Sequence, residues 1–479
     1  MEKLLYEKFG YSSFRLGQKE IISSVINHKD TIAMLPTGTG KSLCYQYPSY
    51  VNNNRVLIIS PLLSLMQDQV DQIKLRGEKR VTAINSFLTF KERKQLIANL
   101  EAYRFIFLSP EMLNSNEVLQ KLKEIGIGLL VIDEAHCISQ WGPDFRPDYL
   151  RLGHLKKTLG SPCTLALTAT ATEEIRKDIA KKLNLNNWKE WVYSVNRPNI
   201  ALEVNTFNDV AQKENKLLLL VQRNTAPGII FFSSRKKAEE MQAAASARHV
   251  SCSVYHGGME TDQRILIQQQ FINGQLDWIF ATNAFGMGIN KNNIRTVIHF
   301  HMSSSVENFL QEIGRAGRDL KQAHSILLYS ANDEFIPLQL AELEKPALEQ
   351  IENFYSMFKR DMPINEIQEK LMLTDTQVRV LRYYIQHEPA EHWAERINHL
   401  LEKRVNSKKE KVMEMKSYIE TDSCRRAKLL AFFEESPSAE ADHCCDNCGI
   451  GNMVMNREKS SYKEVNWKEK LDRLLIKNE

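Results

Sequence analysis

Two short runs carry residues suited to one kind of chemistry. Residues 35–42 read Leu-Pro-Thr-Gly-Thr-Gly-Lys-Ser, and residues 133–136 read Asp-Glu-Ala-His. In the first, Gly38 and Gly40 let backbone amides approach an anion. Thr37 and Thr39 add hydroxyls, the Lys41 ammonium can reach β and γ phosphate oxygens, and the Ser42 hydroxyl can ligate Mg²⁺. In the second, Asp133 can hold the same ion while Glu134 orients or deprotonates an attacking water. The usual phosphate loop begins with Gly six residues before its Lys, where this chain has Leu35. Upstream, the Gln18 amide can donate to and accept from an adenine edge, and Tyr11 and Arg15 could stack on that base. Arg315 and Arg318 are three apart, a spacing that predicts a shared helix face from which two guanidinium groups reach a γ-phosphate. Together Lys41, Asp133, Glu134, Arg315 and Arg318 form a candidate catalytic set that takes ATP and Mg²⁺.

These residues need a scaffold that brings distant segments together. Short apolar runs alternate with helical stretches: Thr31–Leu35, Val56–Ile59, Phe105–Leu108, Leu129–Ile132 and Thr164–Leu167 before residue 200, then Gly228–Phe232, Ser251–Tyr255, Trp278–Ala281, Thr296–His299 and Ser325–Tyr329 after it. That alternation predicts an α/β chain of two tandem lobes with parallel sheets, followed by a helical region. The boundaries expected are 1–200 for the ATP-binding lobe, 201–337 for the second lobe, 338–392 for a helical region, 393–455 for a metal-binding helical subdomain and 456–479 for a polar tail.

The chain has 479 residues with a net charge of +4, too small to argue polyanion binding by itself. No run of eighteen apolar residues and no signal peptide appear, so a soluble intracellular protein is expected, without membrane contact. Contacts to nucleic acid must then be local. Trp141, Phe145 and Arg146 in the loop after Asp133, with Ser233, Arg235 and Thr282 in the second lobe, offer aromatic faces, hydroxyls and a cation that can hold bases and phosphates without reading sequence. Each of the small polar residues serves a turn or a helix cap equally well.

Cys424, Cys444, Cys445 and Cys448 gather near the carboxyl end, and four thiolates suit a structural, tetrahedral Zn²⁺. Adjacent Cys444 and Cys445 need an unusual loop to bind one ion, so Asp442 or His443 could replace one of them. Residues 364–385 read as helix, short turn with an Asp375 cap, and second helix, the spacing of a helix-turn-helix. Arg379 and Arg382 could face DNA phosphates; the alternative is a helical hairpin packing the metal region onto the second lobe.

Taken together, Phe9-Gly-Tyr…Phe14-Arg…Gly17-Gln, Pro36-Thr-Gly-Thr-Gly-Lys-Ser-Leu-Cys-Tyr-Gln46, Asp133-Glu-Ala-His-Cys-Ile-Ser-Gln-Trp-Gly142, Ala281-Thr-Asn-Ala-Phe-Gly-Met-Gly-Ile-Asn-Lys291 and Gln311-Glu-Ile-Gly-Arg-Ala-Gly-Arg-Asp319 resemble the RecQ family of superfamily 2 DNA helicases. The resemblance covers about residues 5–335 and resumes at Cys424-Arg-Arg. It implies two RecA-like lobes and an ATP-dependent motor that moves 3′ to 5′ on single-stranded DNA and unwinds duplexes, forks included, in recombination and repair. Single-strand-binding and recombination proteins are the implied partners, and a monomer on the nucleoid of a bacterial cytoplasm is the implied setting.

Three departures stand out. Pro143 occupies the place of the family's usual His after Trp-Gly, and Asp442 the place of a usual Cys. After Cys448 too few residues follow for the usual winged-helix and HRDC domains, which points to a short bacterial-type member. An RNA helicase with the same two-lobe engine, and a nucleic-acid scaffold with a vestigial ATPase, are the competing readings.

Overall fold

A computed structural model describes residues 1–61, 63–85, 88–139, 147–223, 226–283, 285, 291–387, 392–436 and 443–450. It contains two parallel sheets. The first comprises β1 (Thr31–Met34), β2 (Val56–Ile59), β3 (Val81–Ile84), β4 (Phe105–Leu108), β5 (Leu129–Ile132), β6 (Cys163–Thr168) and β7 (Lys189–Val192), in the order β3-β4-β2-β5-β6-β1-β7. The second comprises β8 (Ile200–Phe207), β9 (Gly228–Phe231), β10 (Cys252–Tyr255), β11 (Trp278–Ala281), β12 (Thr296–His299) and β13 (Ala323–Ser330), in the order β10-β11-β9-β12-β13-β8. Central strands such as Val-Leu-Ile-Ile and Phe-Ile-Phe-Leu are buried throughout. Helices cover both faces of such sheets, so these strands are apolar on both sides.

β3, β7 and β8 lie outside the apolar runs of the sequence pattern. β7 is a polar, largely exposed edge strand that among the described residues pairs with β1 alone. An edge needs no apolar run, and charged residues there discourage pairing with another chain. β8 pairs with β13 along its whole length, and its other side forms a bridge from Leu202 to Cys445.

Parallel register aligns the strand ends that carry the candidate site. Met34 pairs with Thr168, and Ile59 with both Leu108 and Ile132, so Leu35, Ser60, Ser109, Asp133 and Ala169 all follow at one edge. In the second sheet Phe231 pairs with Ala281 and His299, and Tyr255 with Ala281. Ligands of open α/β sheets bind outside these carboxyl ends.

Helices Leu348–Lys359, Ile364–Leu371, Asp375–His387 and Trp393–Ile419 share one core around Ile351, Phe354, Ile367, Leu381, Trp393 and Ile397. The turn between the middle pair starts at Met372 in the left-handed region (φ 49). Its cap is Thr374 and not Asp375: the Thr374 hydroxyl accepts the Gln377 N–H at 3.3 Å, and the Gln377 side chain accepts the Thr374 N–H at 2.8 Å. The pair reaches the first lobe, where Arg379 lies 3.7 Å from Glu111. Among the described residues no helix is long and apolar enough to cross a membrane.

Candidate functional site

The segment after β1 turns through Gly38 (φ 84) and Gly40 (φ 83) into the helix Leu43–Asn52. Positive φ at both points costs glycine little, and it directs amides inward at a helix amino terminus. The loop is braced from outside. Gln18 Nε2 donates to the Thr39 and Gly40 carbonyls at 2.9 and 3.1 Å, its Oε1 accepts the Arg15 N–H, and Arg15 Nη1 donates to the Gly38 carbonyl at 2.7 Å. Thr39 closes on the Pro36 carbonyl, and Ser42 donates to Gln69 at 2.9 Å. Thus Gln18, expected at an adenine edge, and Arg15, expected to stack on the base, bond to the loop itself; Tyr11, 43 % exposed, stands beside them. Gln69 carried no signal in the sequence.

Lys41 Nζ is buried and makes no hydrogen bond among the described residues, and Glu134 Oε1 lies 3.6 Å away. Glu134 sits in the left-handed region (φ 47), with its N–H on Asp133 Oδ1. Burial, reinforced by Glu134, pushes the Asp133 carboxyl up to about 6. Burial acts upward on Glu134 too, but Lys41, His136 and Arg315 outweigh it and hold the group below its usual range. A bound divalent cation would reverse the effect on Asp133, since an adjacent positive charge favours the carboxylate. His136 Nδ1 lies 3.5 Å from Glu134 and 3.0 Å from the Thr168 hydroxyl, which bonds in turn to the Thr170 carbonyl. Gln311 of the second lobe donates to the Thr170 hydroxyl at 3.0 Å.

Arg315 and Arg318 do not share a helix face. The helix Val306–Ile313 stops at Gly314, and both arginines lie in the turns that follow, with Gly317 at φ +55. The turn still delivers both to the cleft. A cavity of about 320 Å³ is lined by Gln18, Lys41, Ser42, Asp133, Glu134, Arg315 and Arg318 among others. Burial lowers Arg315 to about 10, and burial with the neighbouring Arg315 and Arg197 lowers Arg318 to about 9. Cations crowded beside two carboxylates, one of them a buried ammonium without a hydrogen bond, fit a polyphosphate with its metal ion.

Trp141, Phe145 and Arg146 lie outside the described residues, as do Pro143 and Asp442. Just beyond the loop, the buried Tyr149 donates its hydroxyl to the Asp133 carbonyl at 3.1 Å. In the second lobe, Ser233 follows β9, with its N–H on His301 Nδ1 at 3.1 Å, and Arg235 opens the helix Arg235–Ser246. Thr282, largely buried, follows β11. Register therefore gathers Ser233 and Thr282 at one edge.

The sulfurs of Cys424, Cys444, Cys445 and Cys448 all lie within 4.8 Å of one another, with Cys424 and Cys444 at 3.5 Å. A tetrahedral Zn–thiolate site spaces sulfurs by about 3.8 Å. The donor set fits that ion. Cys445 is extended (φ −160, ψ 169) before the turn Asp446–Cys448, which lets two adjacent cysteines serve one centre. His443 instead turns to the Ile450 carbonyl.

Comparison with known proteins agrees with this geometry. Residues 15–178 match the DEAD/DEAH box helicase model, 212–319 the helicase conserved C-terminal domain and 377–449 the RecQ zinc-binding domain. The chain is 43 % identical to the probable ATP-dependent DNA helicase RecS of Bacillus subtilis, over 99 % of this chain and 97 % of that protein. It is 40 % identical to the ATP-dependent DNA helicase RecQ of Haemophilus influenzae, over 72 % of this chain and 55 % of that protein. The Mycobacterium smegmatis helicase Lhr, solved with ssDNA and AMP-PNP, shares the fold at 20 % identity and a TM-score of 0.58, over 71 % of this chain and 49 % of that one. With two RecA-like lobes, a cleft of this composition and a four-cysteine cluster on the second lobe's edge, the chain belongs to the RecQ family of ATP-dependent DNA helicases.

Proposed function

We propose that this chain hydrolyses ATP with Mg²⁺ to move 3′ to 5′ along single-stranded DNA, separating duplexes in recombination and repair. The observation that carries the reading is the meeting of Lys41, Asp133 and Glu134 of one lobe with Arg315 and Arg318 of the other around one cavity. In this scheme Lys41 and the loop amides hold the β and γ phosphates, and Ser42 and Asp133 hold Mg²⁺. The ion, when bound, offsets charge on the phosphate oxygens. Glu134 takes the proton of the attacking water, with Lys41 exchanging the carboxylate for phosphate. Arg315 and Arg318 stabilise the charge that develops during transfer. Because the two sets sit on different lobes, binding draws the lobes together and hydrolysis releases them.

The direction of movement rests on family membership. Residues 1–200 and 201–337 act as the motor, 338–392 as a helical module and 393–455 as the zinc-holding subdomain. Trp141, Phe145, Arg146, Ser233, Arg235 and Thr282 meet the single strand. Such a motor works as a monomer on forks in a bacterial cytoplasm, beside single-strand-binding and recombination proteins. Tailed duplexes test the reading. Wild type should unwind a duplex with a 3′ DNA tail and leave one with a 5′ tail intact, and Lys41→Ala should unwind neither. Unwinding from the 5′ tail, or from RNA tails alone, would overturn it.

A further inference from the structure

Arg197 lies in the segment between β7 and β8, where the chain passes from one sheet to the other. The sequence marks this position only as a boundary, yet its guanidinium bonds to carbonyls of both lobes. Nη1 donates to the carbonyls of Thr37 and Gly314, both at 3.2 Å; Nη2 donates to those of Ala316 at 3.0 Å and Gly317 at 2.7 Å. One acceptor belongs to the phosphate loop. The other three belong to the turn that carries Arg315 and Arg318. Asn199 adds Nδ2 bonds to the Gly317 and Lys321 carbonyls at 2.9 and 2.8 Å. Five donors in a rigid plane let arginine span several carbonyls, which the point charge of lysine cannot.

The segment itself is held from behind. Arg426, almost fully buried, donates to Asn196 Oδ1 at 3.0 Å and to the carbonyls of Arg197 at 2.9 Å, Ile200 at 2.6 Å and Cys444 at 3.2 Å. Glu435 accepts from the Val195 N–H and the Ser194 hydroxyl. The four-cysteine cluster, the crossover and the arginine turn thus form one connected hydrogen-bonded unit.

We propose that Arg197 is a positioning residue of the ATPase: it seats the Gly314–Arg318 turn on the phosphate loop, and so sets where Arg315 and Arg318 meet the transferring phosphate. The inference rests on the functional reading above. Arg197 acts through the other two arginines, so it tunes the transfer step more than nucleotide binding, for which Lys41 and the loop amides suffice. Displacing a catalytic group by about 1 Å can cost about 10²-fold in rate.

The test is a mutant cycle on ATP hydrolysis at saturating single-stranded DNA, using Arg197→Ala, Arg197→Lys, Arg315→Ala and the double variant Arg197→Ala/Arg315→Ala. Binding of a fluorescent ADP analogue and melting temperature are read in parallel. Arg197→Ala should lower kcat by about 10²-fold while KM and analogue affinity change by less than about threefold. Arg197→Lys should fall nearer to Ala than to wild type. The double variant should be slower than Arg315→Ala by far less than the loss Arg197→Ala causes alone, since only Arg318 is then left to position and residues acting through one another are not additive. If Arg197→Ala melts early, the cycle is run with Arg197→Lys. An unchanged kcat, a loss confined to KM, or multiplicative losses in the double variant would each overturn the proposal. A wild type without DNA-stimulated hydrolysis would instead overturn the ATPase reading on which it stands.

Discussion

The Thr37 hydroxyl donates to the Gly314 carbonyl at 2.8 Å, joining the phosphate loop to the arginine turn across 277 positions of chain. The approach is close enough to exclude a side chain: a Cβ at Gly314 would stand 2.2 Å from Thr37 Oγ1 and 3.0 Å from the Leu310 carbonyl. Gly314 has φ −62, so alanine brings no backbone strain and the obstacle is steric alone. Gly314→Ala should therefore hold the lobes apart. We expect kcat for ATP to fall at least about tenfold with a stability change of about 1–3 kcal/mol, measured by steady-state hydrolysis and denaturant melts.

His301 supplies the pH dependence. Burial, then the Lys213 charge, lowers its imidazole from 6.5 to about 4, and neutral Nδ1 accepts the Ser233 N–H. The unfolded chain binds this proton first as pH falls. The stability contribution is therefore complete above pH 6.5 and is lost as pH falls from 6.5 towards 4. His301→Gln keeps an acceptor but does not titrate. Melting temperatures recorded between pH 7 and 4.5 should decline less steeply for this variant than for wild type.

Removing the metal should loosen the edge of the second sheet, because Leu202 bonds the Cys444 carbonyl and Val204 bonds Asp446 beside the cluster. Elemental analysis should find one zinc per chain. Chelation, or Cys424→Ser, should lower stability by roughly 3 kcal/mol or more, several degrees in melting temperature. Full stability after complete zinc removal would show that the four thiols need no ion.

Arg379 is exposed and Glu111 half-buried, with side chains 54 % and 34 % accessible, so exchanging Glu111 for a phosphate costs under about 1 kcal/mol. If the helix Asp375–His387 meets duplex DNA, Arg379→Ala with Arg382→Ala should weaken fork binding and reduce the slope of log affinity against log salt by about 2. Unchanged affinity and slope would leave the hairpin as a strut between the metal subdomain and the first lobe.

Much of this architecture was legible in the chain because buried parallel strands write themselves as short apolar runs, and a glycine loop between strand and helix has few other uses. β7 and β8 escaped because edge strands keep polar residues, as Lys189, Glu190, Glu203 and Asn205 do. The arginine pair lines the same cavity as Lys41 but from turns: a spacing of three suggests a helix, whereas Gly314 and Gly317 end it. Gln69 has no signal at all, and Arg197 none beyond that of a domain boundary. Arg197 bonds backbone carbonyls and Gln69 accepts from the Ser42 and Tyr45 hydroxyls, all far away in sequence, and no local pattern encodes a bond to a distant group.

The central claim is that residues from both lobes hydrolyse ATP in response to DNA. Its most direct test is the steady-state hydrolysis rate of wild type and Lys41→Ala, each with single-stranded DNA, with RNA and without nucleic acid. The account predicts hydrolysis by wild type that rises many-fold with DNA, and none above background for Lys41→Ala in any mixture. DNA binding without turnover, equal rates for the two proteins, or stimulation by RNA alone would contradict it.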